Sequence, residues 1–235
     1  MTHKDVYTKF MIEYDKEVVT TSYPSLTDYE IATLLDKAYL ALIAQKFTGN
    51  NQRSMPFEGD EKAIEDLQPL VATKTVSITP NSTISNYFTH MDNDILYILK
   101  LYISRPGVNS TMIMNDVAKP IRHEDVEKFI QTPINKPWMK YPVYYVESGV
   151  IHVLDRNSNY SEFSTSSAPT SFHLSYIKKP GVFAKPNLSI QNDTSPFELS
   201  DTMAEELINL ALIMGTEVVE SPRLNTKAQT RSLEA

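Results

Sequence analysis

The spacing of apolar residues predicts helices toward both ends of the chain and strands between them. Near the start, Val6, Phe10 and Tyr14 recur at helical spacing. Thr2, followed three residues later by Asp5, has the arrangement of a helix cap. A helix is therefore expected to begin within the first few residues and to bury one face.

The clearest helical pattern lies in LTDYEIATLLDKAYLALIAQKFTG. Ser25 or Thr27 can cap its start, and Gly49 stands where the C-cap of such a helix belongs. Its apolar residues repeat at the spacing of one helix face: Ile31, Leu34, Leu35, Ala38, Leu42 and Phe47. This segment is predicted to be a helix that packs that face on the core.

Two further helices are predicted. In GDEKAIEDLQPLV, Asp60 and Glu61 complement the dipole at the helix start, and Pro69 bends or ends the helix. In FELSDTMAEELINLALIMGTEVV, Ser200 is the cap and acidic residues follow it in the first turns. The apolar stripe of this last helix is expected in the core: Met203, Leu207, Leu210 and Met214.

From residue 73 onward the chain becomes rich in β-branched and aromatic residues. KTVSIT, STISNYFT and ILYILKLYISR have the composition of strands, and Pro106-Gly107 is a turn signal after them. PVYYVESGVIHVLDR is predicted to be a hairpin that turns at Ser148-Gly149. HLSYIKK adds a strand, and HEDVEKFIQTP is predicted to be a short helix ended by Pro133.

This layout predicts an α+β fold with a helical body, made by the N-terminal helices and the C-terminal helix, and a central antiparallel β-rich insertion. The expected boundaries are 1–72 for the N-terminal helices, 73–197 for the insertion, 198–220 for the C-terminal helix and 221–235 for an extended tail. The tail has little apolar content and cannot form a core by itself. Its basic residues suit a docking arm, and terminal disorder is the alternative.

Composition excludes several classes of function. The 235 residues carry a formal charge of −7, which argues against a general nucleic-acid binder. There are no cysteines, so disulfides, thiolate metal sites and cysteine nucleophiles are impossible. The start, MTHKD, lacks the apolar region of a signal peptide, and no apolar run approaches the roughly 20 residues that cross a bilayer. We expect a protein of a reducing cytoplasm, or of a particle assembled there, with no membrane partner.

The five histidines give no metal motif, because no two have i, i+4 spacing and H-E-x-x-H is absent. His90 lies near Asp92 and Asp94 in HMDND, which suggests a metal site but is more simply a polar turn between strands. Nucleophile-elbow and phosphate-loop motifs are absent too. We therefore expect a non-enzyme with no catalytic, cofactor-binding or metal-binding residues and no cofactor. An enzyme with a site at a subunit interface remains the alternative.

Two basic segments allow a second alternative, a nucleic-acid-binding module. Trp138 lies between Lys136 and Lys140 and could stack on bases, although a core anchor is the favoured interpretation. Lys178 and Lys179 in HLSYIKKPGVFAKPNL could hold phosphate, although a strand end followed by a turn is favoured. In that case the two lysines face solvent or a neighbouring acidic surface.

Several segments, taken in order, resemble a group of virion proteins of crAss-like bacteriophages of gut Bacteroidetes. The first are TDYEIATLLDKAYLALIAQKFTG and FEGDEKAIEDLQPLV, and HEDVEKFIQTPINKPW follows with its Asn-Lys-Pro turn. LSYIKKP, FELSDTMAEELINLAL and VESPRLNTK are similar to the closing strand, last helix and tail of that family. The resemblance spans nearly the whole chain. It departs at Leu199-Ser200-Asp201, where family members often carry Pro and His.

The resemblance implies a structural protein of the phage neck, a head-to-tail connector (adaptor) in a ring between the portal and the tail. Rings there are commonly twelvefold, so the expected partners are further copies of the chain, the portal protein and neighbouring tail ring proteins. Double-stranded DNA would pass non-specifically through the lumen, and the resemblance makes Lys178 and Lys179 candidate contacts to a neighbouring subunit or to this DNA channel. The protein would reside in the virion after assembly in the host bacterial cytoplasm. Residues of the tail are expected to dock a neighbouring ring: Ser221, Pro222, Arg223 and Lys227.

Overall fold

A computed structural model shows an α+β protein whose chain divides into two compact units. The residues described are 1–17, 26–49, 57–77, 79–80, 87–106, 113–131, 141–154 and 171–218. The helical unit comprises Met1–Leu70 and Pro180–Ala235, and the β unit comprises Val71–Lys179. Residues 180–197, predicted above to belong to the insertion, thus form part of the helical unit.

The helical unit contains α1 (His3–Glu17), α2 (Asp28–Thr48), α3 (Glu61–Leu67) and α5 (Asp201–Val218). The predicted caps are confirmed. Thr27 and Glu30 form a reciprocal capping box at α2, and Gly49 ends that helix with φ 75°. Asp60 caps α3, and the Ser200 hydroxyl accepts the backbone N–H of Met203 at the start of α5.

Most residues of the apolar faces that the sequence pattern predicts lie in the core of the helical unit. On α2, Leu34 and Phe47 of the predicted stripe are only half-buried. On α5, Met203, Leu207 and Leu210 are buried, but Met214 is only half-buried. Gly215, the next residue along α5, lies against Phe10, and successive residues of a helix are about 100° apart around its axis, which places Met214 at the margin of this contact. Residues of the 180–197 segment complete this core through packed aromatic rings: Phe183 and Phe197 lie against each other and against Tyr39 of α2.

The β unit contains the strands and one helix among the residues that the structure describes. Its strands are β1 (Val71–Ser77), β2 (Thr79–Pro80), β3 (Tyr87–His90), β4 (Ile95–Pro106), β5 (Ile113–Pro120), β6 (Val143–Glu147), β7 (Val150–Leu154) and β8 (Ser171–Lys178). The helix is α4 (His123–Gln131). The strands form one sheet in the order β1-β8-β4-β5-β6-β7-β3-β2.

The sheet is mixed, so the prediction of an antiparallel insertion is wrong in one place. Strand β5 pairs with β6 in parallel, Lys119 opposite Val143, while the other described pairs are antiparallel. A tight hairpin reverses the chain and gives antiparallel neighbours, whereas a crossover helix returns the chain to the end from which it left. Helix α4 provides that return between β5 and β6. The predicted hairpin is confirmed: β6 and β7 turn at Ser148 and Gly149, both with positive φ.

The sheet has two different faces because side chains alternate along each strand. The inner face is apolar and curls around a core to which β4, β6, β7 and β8 contribute, for example Leu101, Tyr144, Val153 and Phe172. On the outer face, α4 covers β6 and β7, where Val126 packs with the side chains of those strands. The outer face of β1, β8, β4 and β5 carries mainly polar side chains.

Candidate functional site

The outer face of β1, β8, β4 and β5 is polar and open to solvent. One row across the sheet is Thr75, His173, Tyr102 and Val117. The row on one side is Thr73, Ser175 and Lys100, and the row on the other is Ser77, Ser171, Ser104 and Asn115. Lys119 continues the face along β5, two residues after Val117. Hydroxyl, amide, imidazole and ammonium groups therefore cover this part of the sheet.

The centre of this face is a stack of two rings. The rings of Tyr102 and His173 are 4.7 Å apart and inclined by only 8°. The Thr75 hydroxyl and the imidazole Nδ1 of His173 are 3.0 Å apart, and Ser171 is 3.2 Å from Nε2. The Lys100 ammonium lies 5.6 Å from the centroid of the Tyr102 ring. These contacts hold the two rings against each other on the sheet.

This face carries positive charge without compensating carboxylates. Lys100 and Lys119 are exposed, and within the described part of the chain neither has an ion-pair partner. Lys119 contacts only the Tyr141 ring as a cation, at 5.9 Å. None of the described residues in the three rows is acidic, since Asp116 alternates to the inner side of β5. We call this surface the carboxylate-free sheet face.

The helical unit shows the opposite charge. Between α3 and α5 lies a groove of about 490 Å³, which we call the acidic groove. Its lining residues are Lys62, Glu65, Asp66, Ser200, Thr202, Glu205, Glu206 and Asn209. Glu65 and Glu205 are exposed, and Glu205 forms an ion pair with Lys9 of α1. Four carboxylates line the groove and three lysines pair with them, namely Lys9, Lys46 and Lys62, so the groove keeps a net negative charge. Among the described residues Glu65 has no ion-pair partner.

The floor of the acidic groove is a buried ion cluster. The Lys46 ammonium lies 3.0 Å from the Asp66 carboxylate and 2.9 Å from that of Glu206, with only 7% of the Lys46 side chain exposed. Burial lowers the pKa of Lys46, but its bonds to Glu206 and Asp66 outweigh this and raise it above the usual value. Lys46 therefore stays charged and joins α2, α3 and α5.

A second buried network ties the start of the chain to the segment before α5. The imidazole Nδ1 of His3 is 2.9 Å from the Asp193 carboxylate, and these two side chains are at most 3% exposed. Lys185 donates to the same carboxylate at 2.8 Å and to the Ser195 hydroxyl at 2.9 Å. Two backbone hydrogen bonds join the same segments. The His3 N–H donates to the Ser195 carbonyl, and the Lys4 N–H donates to the Asp193 carbonyl.

The ionisation of this network follows from its bonds. Burial raises the pKa of Asp193, but hydrogen bonds from Lys185, Ser195 and His3 outweigh burial and hold the pKa well below its ordinary value. Nearby, burial raises the pKa of Asp36, against the hydrogen bonds from the backbone N–H groups of Phe183 and Ala184. Both carboxylates position the loop that carries Phe183.

The pair of Ser195 and Lys185 has the residue types of a serine–lysine dyad, but its electrostatics do not suit catalysis. A lysine that takes a proton from serine must itself be neutral. Lys185 instead forms an ion pair with the buried Asp193 carboxylate at 2.8 Å. The network has a structural role: it fixes the first turn of α1 to residues 193–195.

A row of aromatic rings and imidazoles crosses the outer face of β6, β7 and β3. The His123 imidazole is 2.7 Å from the Val146 carbonyl and contacts Tyr145 edge-on at 5.6 Å. Tyr145 stacks on His152 at 4.9 Å, and His152 lies 6.5 Å from Phe88. Burial lowers the pKa of His152, and the charge of Glu147 only partly opposes this.

We predict that the imidazole of His152 titrates below 6.5, its ordinary value, when the ring protons of the folded chain are followed by NMR. Because the pKa is depressed in the fold, neutral His152 contributes stability that is present above 6.5 and lost as the pH falls through the folded value. The variant His152→Gln should lose this part of the pH dependence in urea unfolding. A wild-type His152 that titrates above 6.5 would contradict the argument.

Among the residues predicted as contacts, Lys178 and Lys179 lie at the end of β8. Lys178 is half-buried and pairs with Ile95 in the sheet, whereas Lys179 is exposed. The Lys179 backbone N–H donates to the Asp94 carbonyl at 2.6 Å. The segment is therefore a strand end followed by a turn, and its role toward a subunit or DNA stays a prediction. The tail residues Ser221, Pro222, Arg223 and Lys227 lie outside the described residues.

Two other candidate segments are HMDND and the run around Trp138. HMDND forms the turn between β3 and β4, where Asp92 pairs with Lys74 and Asp94 accepts the Tyr176 hydroxyl at 3.2 Å. Within the described ranges, His, Asp and Glu side chains form no group of three or more that could hold a metal ion. Trp138 and its flanking lysines lie outside the described residues.

Sequence patterns did not reveal the two surfaces or the buried networks. His3 and Asp193 are 190 residues apart in the chain. The carboxylate-free sheet face depends on the pairing of strands that are not neighbours in sequence. One signal was available: acidic residues are concentrated toward the two ends of the sequence, and the middle of the chain has fewer.

Comparisons with known proteins give no family assignment. No protein-family model matches the chain, and no curated protein matches it either. In the part of the chain that the structure describes, none of the helices is both long and apolar enough to span a membrane.

Proposed function

We propose that this chain is a structural virion protein, a subunit of a ring that connects the portal of a crAss-like phage to its tail. The observation that carries the proposal is the coincidence of the family-like motifs with defined elements. TDYEIATLL lies on α2, DEKAIEDL on α3, HEDVEKFIQ on α4, LSYIK on β8 and SDTMAEELINLAL on α5. Each motif thus coincides with one helix or strand, so the similarity concerns structural elements as well as short runs of residues.

The architecture supports a role in assembly. The N-terminal helices and α5 form one unit, and a separate β unit is inserted between them. A ring subunit needs a stable body and further surfaces that reach its neighbours, because each copy makes two different contacts in a closed ring. The net charge of −7 also suits a DNA channel, since an acidic wall repels the passing duplex and does not retain it.

The chemistry of the buried polar groups favours this role over that of an enzyme. The buried residue types that catalysis could use, such as His3, Asp193 and Lys46, form bonds that join helices and chain segments. An active site shared between subunits and a nucleic-acid-binding module remain the competing proposals. A shared active site requires that the assembled protein turn over a substrate. A nucleic-acid-binding module requires DNA binding that weakens as the salt concentration rises.

Deleting residues 221–235 is expected to leave a folded subunit that no longer joins its partner ring. The reason is the composition of this segment, which has few apolar residues to contribute to a core and several basic ones to offer a partner. Thermal unfolding should therefore change little, while co-purification with the portal and neighbouring ring proteins, co-expressed from the same phage genome, is lost.

A matched variant separates charge from length in this test. Replacing Arg223, Lys227 and Arg231 with Gln keeps all residues but removes the positive charge. If the tail docks through its charges, the substituted chain should fail as the truncated chain does. A truncated chain that still assembles normally would refute a docking role for the tail.

A further inference from the structure

The two units of this chain carry opposite formal charge. The helical unit has 20 acidic and 11 basic residues, a formal charge of −9, and the β unit has 9 acidic and 11 basic residues, a formal charge of +2. A net charge of −7 for the whole chain conceals this division. Two copies repel each other when their helical units meet or when their β units meet. They attract each other when the helical unit of one copy meets the β unit of the other.

The charge of the β unit is presented on a defined surface. The carboxylate-free sheet face exposes Lys100 and Lys119, which have no ion-pair partner among the described residues. Around them, exposed hydroxyl groups on the same face can donate hydrogen bonds to carboxylates, namely those of Thr73 and Ser77. The rings of Tyr102 and His173 give the face a rigid centre, a property of well-packed interfaces.

The helical unit presents the complementary surface. Glu65 and Glu205 are exposed at the acidic groove between α3 and α5, above the buried cluster of Lys46, Asp66 and Glu206. The buried cluster fixes the helices that carry the exposed carboxylates, so the groove is preorganised. Ser200 and Thr202 add hydroxyl groups at its end.

We propose that the carboxylate-free sheet face of one copy docks onto the acidic groove of a second copy. The two surfaces lie on different units of the chain, so every copy has one of each, and the contact is heterologous. Contacts of that type generate rings when the rotation closes. The inference rests on the proposed ring function for its geometry, and it assigns the faces that neighbouring subunits would use.

A second copy fits the sheet face better than nucleic acid does. Non-specific binding to DNA requires several cations along the phosphate backbone, and this face offers only Lys100 and Lys119 among its described residues. The chain as a whole is acidic, at −7, with −9 on the helical unit, so it repels a polyanion. The same helical charge attracts the sheet face of another copy.

Exchange of charge between the two surfaces tests the proposal in the full-length chain. One variant carries K100E and K119E, a second carries E65K and E205K, and a third carries all four substitutions. Asp66 and Glu206 are left unchanged because they hold the buried cluster. K128E is the control, since Lys128 is 67% exposed on α4, away from the three rows of the face. Circular dichroism checks that each variant is folded.

Self-association is measured by sedimentation at about 50 mM and at about 500 mM salt. We expect each two-residue variant to self-associate at least about tenfold more weakly than the wild type, and the four-residue variant to recover. The control should match the wild type, and high salt should weaken the contact. Recovery is the decisive result, because a merely misfolded surface would not be rescued by a further pair of charge reversals.

Several results would overturn the proposal. These are two-residue variants that associate as the wild type does, a folded four-residue variant that does not recover, and a wild type that stays monomeric at millimolar concentration. So would a 20-base-pair DNA duplex that binds the wild type but not K100E/K119E while self-association is unchanged. A rescued contact in a chain that never joins the portal would uphold this interface and refute the neck function.

Discussion

Replacing Lys46 with Met is expected to lower the free energy of unfolding by about 3–5 kcal/mol. Lys46 is buried between the carboxylates of Asp66 and Glu206, at 3.0 and 2.9 Å. Methionine fills similar space but leaves two carboxylates in a partly desolvated site without their cation. Urea unfolding of the two chains, followed by circular dichroism at pH 7, measures the difference.

Lys62 provides the matched control for this experiment. It lies 3.6 Å from the same Glu206 carboxylate, but 53% of its side chain is exposed. An exposed ion pair contributes at most about 1 kcal/mol, so Lys62→Met should change stability by no more than that. Equal effects at Lys46 and Lys62 would show that burial of the cluster does not determine its energy.

Replacing Asp193 with Asn is expected to cost about 3–5 kcal/mol at pH 7. The Asp193 carboxylate accepts hydrogen bonds from Lys185, from His3 and from the backbone N–H of Ser195. Lys185 and His3 share one carboxylate oxygen, Oδ2, and the Ser195 N–H donates to the other, Oδ1. An amide puts an NH₂ donor in place of one of these oxygens, so either Lys185 and His3 or the Ser195 N–H loses its acceptor. The buried network that fixes the start of α1 is then broken.

The pH dependence of this effect distinguishes charge from shape. The pKa of Asp193 is depressed in the fold, so its ionised form contributes stability that is present above its ordinary value of 3.8. That contribution is lost as the pH falls below 3.8 toward the folded value. The difference in the free energy of unfolding between the wild type and Asp193→Asn should therefore become smaller in acid.

Asp125→Asn is a suitable comparison, because Asp125 also pairs with a lysine, Lys128, but is 36% exposed. Its substitution should cost less than about 1 kcal/mol. If Asp193→Asn is equally mild, or if its effect does not change between pH 7 and acid, the network does not anchor the N-terminal helix as we infer.

What the sequence predicts well in this protein is local. Thr27 and Glu30 are three residues apart, and their capping box needs nothing from the rest of the chain. The backbone preferences of Ser148-Gly149 favour a tight turn, and the structure has the predicted hairpin there. The same holds for Ser200 at the start of α5.

What it predicts poorly depends on distant partners. The parallel pairing of β5 with β6 depends on the path of α4, which composition does not record. Lys46, Asp66 and Glu206 look like solvated charges in the sequence, and only the packing of three helices buries them together. Met214 fits the apolar stripe of α5 but lies at its margin, since Gly215 occupies the contact with Phe10.

The central claim, that the chain is a ring subunit of a phage neck, is tested most directly by imaging it with its portal. The full chain would be co-expressed with the portal protein from the same phage genome, and the purified complex examined by cryo-electron microscopy. We predict a closed ring of this chain on the portal, with a mass near twelve copies of 26.7 kDa. A portal that carries no copy of the chain, beside a chain that remains monomeric, would contradict the claim.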